Sequence, residues 1–313
     1  MKVGKVKGLR PTLRQTAAVV GIMALMGSSV GPAFAQSGLP AGAIARVGAA
    51  SVSLTPKRIT FDRPGKSATI SVSSGGGDGA FNVELIDRVM LPDGQIIPLS
   101  EAASRPEAAL VKSAKPFLVV TPRRIRLVPG SGQAIRLRAA ASAAIAPGEY
   151  RTHLTVTGIP PVDSGLTAEQ AAGKTEGQLS FRINSVLAIS IPVILRVGPI
   201  DVRAAIEHPV LSYENVSPDG KAAPVRTAML SIELVRLGAN SLFGDLEVRG
   251  SKKLGGGPIG AVRGIGVYPE IGRRTVKIPL SRIPAAGEQI DIQFRDDDTA
   301  PGSILSKASL AAP

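Results

Sequence analysis

The sequence predicts an all-β protein built as two β-sandwich domains in tandem, and three observations carry that prediction. The first is the stretch Gln178 to Val197, QLSFRINSVLAISIPVILRV. Its odd positions, from Leu179 through Phe181, Ile183, Leu187, Ile189, Ile191, Val193 and Leu195 to Val197, are large and apolar apart from Ser185. Its even positions are mixed, mostly small or polar. Strict alternation marks a half-buried strand. The second observation is a series of shorter alternating runs separated by turn residues. The third is the supply of turn formers, 35 Gly and 25 Pro spread through 313 residues. The long stretch is three to four times the usual strand length of roughly 5–6 residues. One small domain cannot cover its whole apolar face, so part of that face crosses into a neighbouring domain or is left for a partner.

The elements follow in order. Gln36 to Ala50 reads as a loose leader. Val52, Leu54, Ile59 and Phe61 alternate around Pro56, which is expected to kink or bulge an edge strand. Lys66 to Ser73 alternates through Ala68, Ile70 and Val72 and ends in a Gly-rich turn at Ser74 to Gly79. Phe81, Val83 and Leu85 make the next strand, and Leu91-Pro92-Asp93-Gly94 a turn. Glu101 to Lys115 is Ala-rich and suits one short helical turn. Phe117 to Thr121, Ile125 with Leu127, Gln133 to Ala139 and Tyr150 to Thr157 continue the pattern. Val162 to Gly177 is a polar loop, long for a hairpin connection. About seven such strands spell an immunoglobulin-like sandwich over 51–197. Gly198-Pro199 is the expected boundary. Strands over Val202 to Ile206, Leu211 to Val216, Ala228 to Leu237, Phe243 to Val248, Val262 to Tyr268, Arg274 to Leu280 and Gln289 to Phe294 give a second sandwich over 198–300. Asp296-Asp297-Asp298 and the tail 301–313 are expected to be solvated.

The first 35 residues fit an export signal. Lys2, Lys5, Lys7, Arg10 and Arg14 form a basic head, Ala17 to Gly31 an apolar core, and Ala33-Phe34-Ala35 a small-residue cleavage site before Gln36. The core is too short for a stable membrane span, and no later segment reads as one. Removing the segment leaves 278 residues, enough for two domains, and lowers the formal charge from +13 to +8. The basic residues do not form a stripe and aromatics make up 3%, so nucleic acid is not the expected partner. With no cysteine, the exported chain has neither disulfides nor thiolate metal sites.

No catalytic constellation emerges, and no cofactor or metal is expected. His153 and His208 fall in different domains, and no nucleophile elbow occurs. His153 alternates outward from Leu154 and reads as an exposed strand residue. Gly255 to Gly260 matches a dinucleotide pattern formally but lacks a strand–turn–helix context, and so reads as a hairpin loop. The three aspartates lack the spacing of a calcium loop.

Several signatures recur together: Ser53-Leu54 with Arg58 and Phe61; Pro116 to Pro122; Leu127-Val128-Pro129-Gly130 with Ile135-Arg136-Leu137; Pro147 to Arg151; Ile159-Pro160-Pro161; and a long strand ending at Arg196. In this order they resemble the N-terminal domain of the periplasmic chaperones of chaperone–usher pilus assembly. The second half is similar to that family's C-terminal sandwich more loosely, through Ser241 to Leu246 and Val267-Tyr268-Pro269. The resemblance implies two angled sandwiches with a cleft between them, export to the periplasm, and a non-enzymatic role. The long strand would be lent to pilin-like fibre subunits that lack a strand of their own, with delivery to an outer-membrane usher; such strand donation is a known recognition mode. Phe181, Ile183, Leu187 and Ile189 would fill the subunit's groove, and the odd positions nearer Val197 would pack at home. The resemblance also implies that Arg58 anchors a subunit's C-terminal carboxylate, and that Glu149 and Arg196 form a structural interdomain salt bridge. The family's second anchoring cation, a lysine, falls at Pro192, where this chain departs from the pattern; Arg182 and Arg151 are candidate replacements. The alternative is an exported two-sandwich structural or adhesive module without chaperone activity.

Overall fold

The computed structural model of the protein describes residues 52–75, 78–140, 145–160, 186–217, 220–251 and 257–313. The export segment, the leader, the 162–177 loop, Phe181, Arg182 and Ile183 lie outside the described residues.

The first sandwich forms where the sequence alternates. One sheet holds β1 (Val52–Thr55), β3 (Ser67–Ser74), β9 (Gly132–Ala139) and β7 (Leu118–Thr121), in the order β1-β3-β9-β7. The facing sheet holds β2 (Ile59–Phe61), β11 (Ala188–Val197), β10 (Gly148–Ile159), β4 (Gly79–Ile86) and β8 (Arg124–Leu127), in the order β2-β11-β10-β4-β8. Pro56, expected as a kink, stands where the chain leaves the sheet of β1 for the sheet of β2. Ile70, Leu137, Leu154 and Leu195 are fully buried between the sheets. Between β4 and β7 lie the hairpin β5 (Arg88–Met90) and β6 (Ile96–Pro98), followed by three short 3-10 turns where one helical turn was expected.

In the second sandwich, β12 (Ala204–Val216), β13 (Val225–Arg236) and β16 (Arg273–Pro279) form one sheet. Strands β14 (Leu242–Arg249), β15 (Pro258–Val267), β17 (Gln289–Asp296) and β18 (Ile304–Ala311) form the other, in the order β15-β14-β17-β18. Three expectations change here. The runs 202–206 and 211–216 are one strand, β12, whose alternation is reset by a bulge between Glu207 and Val210. The segment 301–313 is no tail: β18 pairs along β17, with half-buried Leu305, Ala308 and Leu310 packed on the core. Asp296 is buried rather than solvated. No helix among the described residues is long and apolar enough to cross a membrane.

The two sandwiches are not separate at their cores. Ile194 of β11 belongs to the first sandwich by strand pairing, and Met90 of β5 to the separate β5–β6 hairpin inserted between β4 and β7, yet both are buried in the second sandwich's cluster with Leu230, Leu242 and Phe294. The β5–β6 turn continues this docking. Gly94, at φ +90°, lies so close to Arg274 that a side chain there would collide with the guanidinium, and Pro92 O accepts from Thr275 N at 3.3 Å.

Candidate functional site

Strand pairing assembles the inward face from the residues upward. Along β10 and β11, Glu149 stands opposite Arg196, Arg151 opposite Ile194 and His153 opposite Pro192. Alternation turns these side chains to the face that meets the second sandwich. Thr60 of β2 stands opposite Ile194 on the other side of β11, which brings Arg58, two residues earlier, level with Pro192.

The charged groups form a connected set. Arg196 donates Nε–H to Glu149 Oε2 at 3.0 Å and a terminal N–H to Asp298 Oδ2 at 2.7 Å. Glu149 Oε2 also accepts from Ser241 N at 3.0 Å and Asn240 Nδ2 at 3.3 Å. Arg58 donates to the same Asp298 Oδ2 at 3.1 Å, and Thr60 Oγ1 donates to Oδ1 at 3.1 Å. Arg58 also lies over the Phe243 ring, 4.4 Å from its centroid, an arrangement that favours a cation. Asp298 is held in place by Asp296, whose carboxylate accepts from the backbone N–H of Asp298 and Thr299, both at 3.1 Å. Burial alone would raise the Asp298 carboxyl, but Arg58 and Arg196 outweigh it and hold it below its ordinary value. Burial likewise disfavours the Arg196 charge, and Glu149 and Asp298 more than restore it. Arg151 pairs with Glu270 and lies 3.9 Å above the Tyr268 ring; Glu270 also accepts from Met90 N at 2.9 Å.

Arg58 is therefore nearly buried and already bound to a carboxylate of its own chain. Arg151 is also engaged internally. The residues that complete the set, Asp298, Glu270 and Tyr268, were missed in sequence. The available signal was three consecutive acids closing a strand in a chain rich in arginine.

His153 corrects an expectation. It is 2% exposed, not at the surface. Alternation did turn it out of its own sandwich, but the second sandwich covers that face. Burial first, then Arg151, Arg88 and Arg58, push its pKa down to about 2, so the imidazole is neutral. Both ring nitrogens are buried without a hydrogen-bond partner.

The second feature is the outer edge of β11. Gly158 N donates to Leu187 O at 2.8 Å, which fixes the ladder's phase: Ile189, Ile191, Val193 and Leu195 exchange bonds with β10, while Ala188, Ser190, Pro192 and Ile194 turn their backbone groups outward. Among the described residues, β2 pairs that outer side only at Val193–Leu195. Ala188 and Ser190 thus present an unpaired edge. Pro192 costs the sheet no bond, because its missing N–H would point outward. Val186 and Leu187, just before the strand, are 54% and 45% exposed. Ile189, expected to fill a partner's groove, packs instead against its own core. The expected division at Ile191 thus moves to the start of β11, where the odd side chains come under the facing sheet.

Among the described residues, Glu207, His208 and Glu233 bring ligand-type atoms within 4.8 Å of one another. Arg273 already lies between the two carboxylates, at 3.5 Å and 2.5 Å, and supplies the positive charge that such a pair needs.

No family model and no curated protein matches the chain. Among solved structures it is similar to the E. coli chaperone DraB, with 13% identity, a TM-score of 0.40, and coverage of 84% of this chain and 97% of that one. It is similar also to a chain of the Salmonella enterica SafA pilin complex with the SafB chaperone (15% identity, TM-score 0.38, 84% and 97% covered). A third is the periplasmic chaperone SfaE (12% identity, TM-score 0.37, 84% and 100% covered).

Proposed function

We propose that the protein is a periplasmic, non-enzymatic assembly chaperone that binds pilin-like fibre subunits along β11 and passes them to an outer-membrane usher. The observation that carries the reading is the outer edge at Ala188 and Ser190, which no described strand pairs, preceded by exposed Val186 and Leu187. An open edge offers main-chain hydrogen bonds, and alternating apolar side chains beside it offer specificity; left uncovered, the same edge is an aggregation hazard. The ordered sequence signatures support the same reading. Residues 178–187 extend the alternation beyond β11, so Phe181, Ile183 and Leu187 are the groove-filling set, and Ile189 is a core residue of the chaperone. Arg58 would anchor a subunit carboxylate by exchanging Asp298 for it. Glu149 and Arg196, expected to pair between the domains, pair instead across β10 and β11 within the first sandwich, and they hold the two sandwiches together through Ser241, Asn240 and Asp298.

The test is co-purification. Fibre subunits co-expressed with the chain should be recovered with it from periplasm, and Ile183→Asp with Leu187→Asp should abolish recovery while circular dichroism stays unchanged. Undiminished recovery would sink the proposal.

A further inference from the structure

The far side of the same sheet carries a second opening. Strand β8 pairs with β4 only over Gly79–Asn82, and the chain between β7 and β8 then crosses from one sheet to the other. Past that crossing the sandwich stands open as a cleft of about 720 Å³, within the size range of small-ligand and peptide pockets. Hydrogen-bond phase shows what its two walls offer. Val83 N bonds to Arg123 O at 2.8 Å, so Leu85, two residues on, turns its N–H and C=O toward the cleft, where no strand meets them among the described residues. On the facing sheet, Ala140 N bonds to Phe117 O at 2.7 Å. Val119 therefore bonds to β9, and Val120 turns its backbone groups to the other edge of β7, which no strand among the described residues pairs. Between the walls, the side chains of Val83, Leu118 and Val120 make an apolar floor.

The rim is charged on one side of the balance. Lys115, Arg123 and Arg124 are exposed against a single carboxylate, Glu84, and none of the three cations is in an ion pair with a described residue. Exposed Arg136 and Arg138 stand beside β7 on the outer face. A cleft with one sign of charge concentrates partners of the other sign.

The geometry points to a docking groove for an extended, acidic segment of a partner protein, laid between β4 and β7 so as to bond with Leu85 and Val120 and to pair its carboxylates with Arg123 and Arg124. This groove is distinct from the β11 edge: β10 and β4 stand between them in the sheet order, so both can be occupied at once.

The probe is a fluorescein-labelled peptide of alternating valine and aspartate, read by anisotropy against the purified chain at low salt, with a valine–lysine peptide of the same length as control. The acidic peptide is expected to bind at least tenfold tighter than its basic counterpart, and Arg123→Glu with Arg124→Glu to lose at least tenfold of that affinity. These side chains are exposed, and only the backbone of Arg123 bonds to β4, so the variant should retain its circular dichroism; Lys115→Glu provides a second variant should it not. Equal binding of both peptides, or acidic binding untouched by charge reversal, overturns the proposal. So does concentration-dependent dimerisation of the chain that the same variant abolishes, which would assign the cleft to a second copy. Subunit co-purification through β11 should be unaffected by charge reversal, so this test fails or succeeds independently of the chaperone reading.

Discussion

At the scale of single residues, His153 and Asp298 both resist a proton in the folded state, one as a neutral imidazole and the other as a paired carboxylate, and so share the same acid sensitivity. An unfolded histidine binds a proton below about 6.5, whereas folded His153 does so only near 2. As pH falls the unfolded state takes up the proton first, and stability declines from about pH 6.5 downward. At pH 4.5 the loss from this residue is about 2–3 kcal/mol, at roughly 1.4 kcal/mol per pH unit. Urea unfolding of His153→Leu should show a flatter dependence between pH 7 and 4.5 than the wild type, with no loss at pH 7, because the side chain has no hydrogen bond to forfeit. Parallel slopes for the two proteins would contradict the assignment. Asp298 has a lowered folded pKa; its contribution is present above about 3.8 and is lost as pH falls below that. Arg58 links this to function. Arg58→Ala is expected to weaken capture of a subunit's free C-terminus about tenfold, the worth of one charge-assisted hydrogen bond. Asp298→Asn should strengthen it, with amidation of the C-terminus erasing both effects.

At the scale of elements, β11 shows how far a sequence can be read. The alternation at 188–197 specified a strand and correctly turned Ile191, Val193 and Leu195 inward. It also labelled Ile194 and Arg196 as the outer face, and both are buried. A period of two identifies which residues share a face, but not what covers it, and here the second sandwich covers the outer face of one half of the strand. The same limit explains His153, which was turned to the right side of its strand, and Asp298, which was read as solvated: neither carries a local signal that a distant element closes over it. Strand β18 escaped for a different reason. Its residues Ile304, Leu305, Ser306, Lys307, Ala308, Ser309 and Leu310 lack a clean alternation, and as an edge strand β18 buries little. The outward phase of Ser190 gives a sharper test than side-chain changes. Ser190→Pro removes an outward N–H while leaving the β10 ladder bonds intact. It should reduce subunit co-purification severalfold and leave the melting temperature within a few degrees; unimpaired recovery would mean that the outer edge is not the binding edge.

At the scale of the whole molecule, the shared core makes the two sandwiches one cooperative unit. Ile194→Ala, from a strand of the first sandwich, and Met90→Ala, from the β5–β6 hairpin, each empty a buried site in the second sandwich's core, at an expected cost of about 2–5 kcal/mol. Calorimetry should show the single transition of the wild type lowered in both variants and, in the double variant, split into two as the domains uncouple. A single lowered peak in the double variant would instead place the coupling in the ion pairs.

Those ion pairs impose an order on synthesis. Arg58, Arg151 and Arg196 belong to the first sandwich, as does Glu149, but Glu270 and Asp298 belong to the second. A chain emerging N-terminus first completes a sheet face with three guanidinium groups and one carboxylate long before Asp298 is made. Until then that face repels itself and exposes Ile194 beside its open edge. The nascent first half is thus a poor independent product, and its completion waits on a carboxylate 102 residues beyond Arg196.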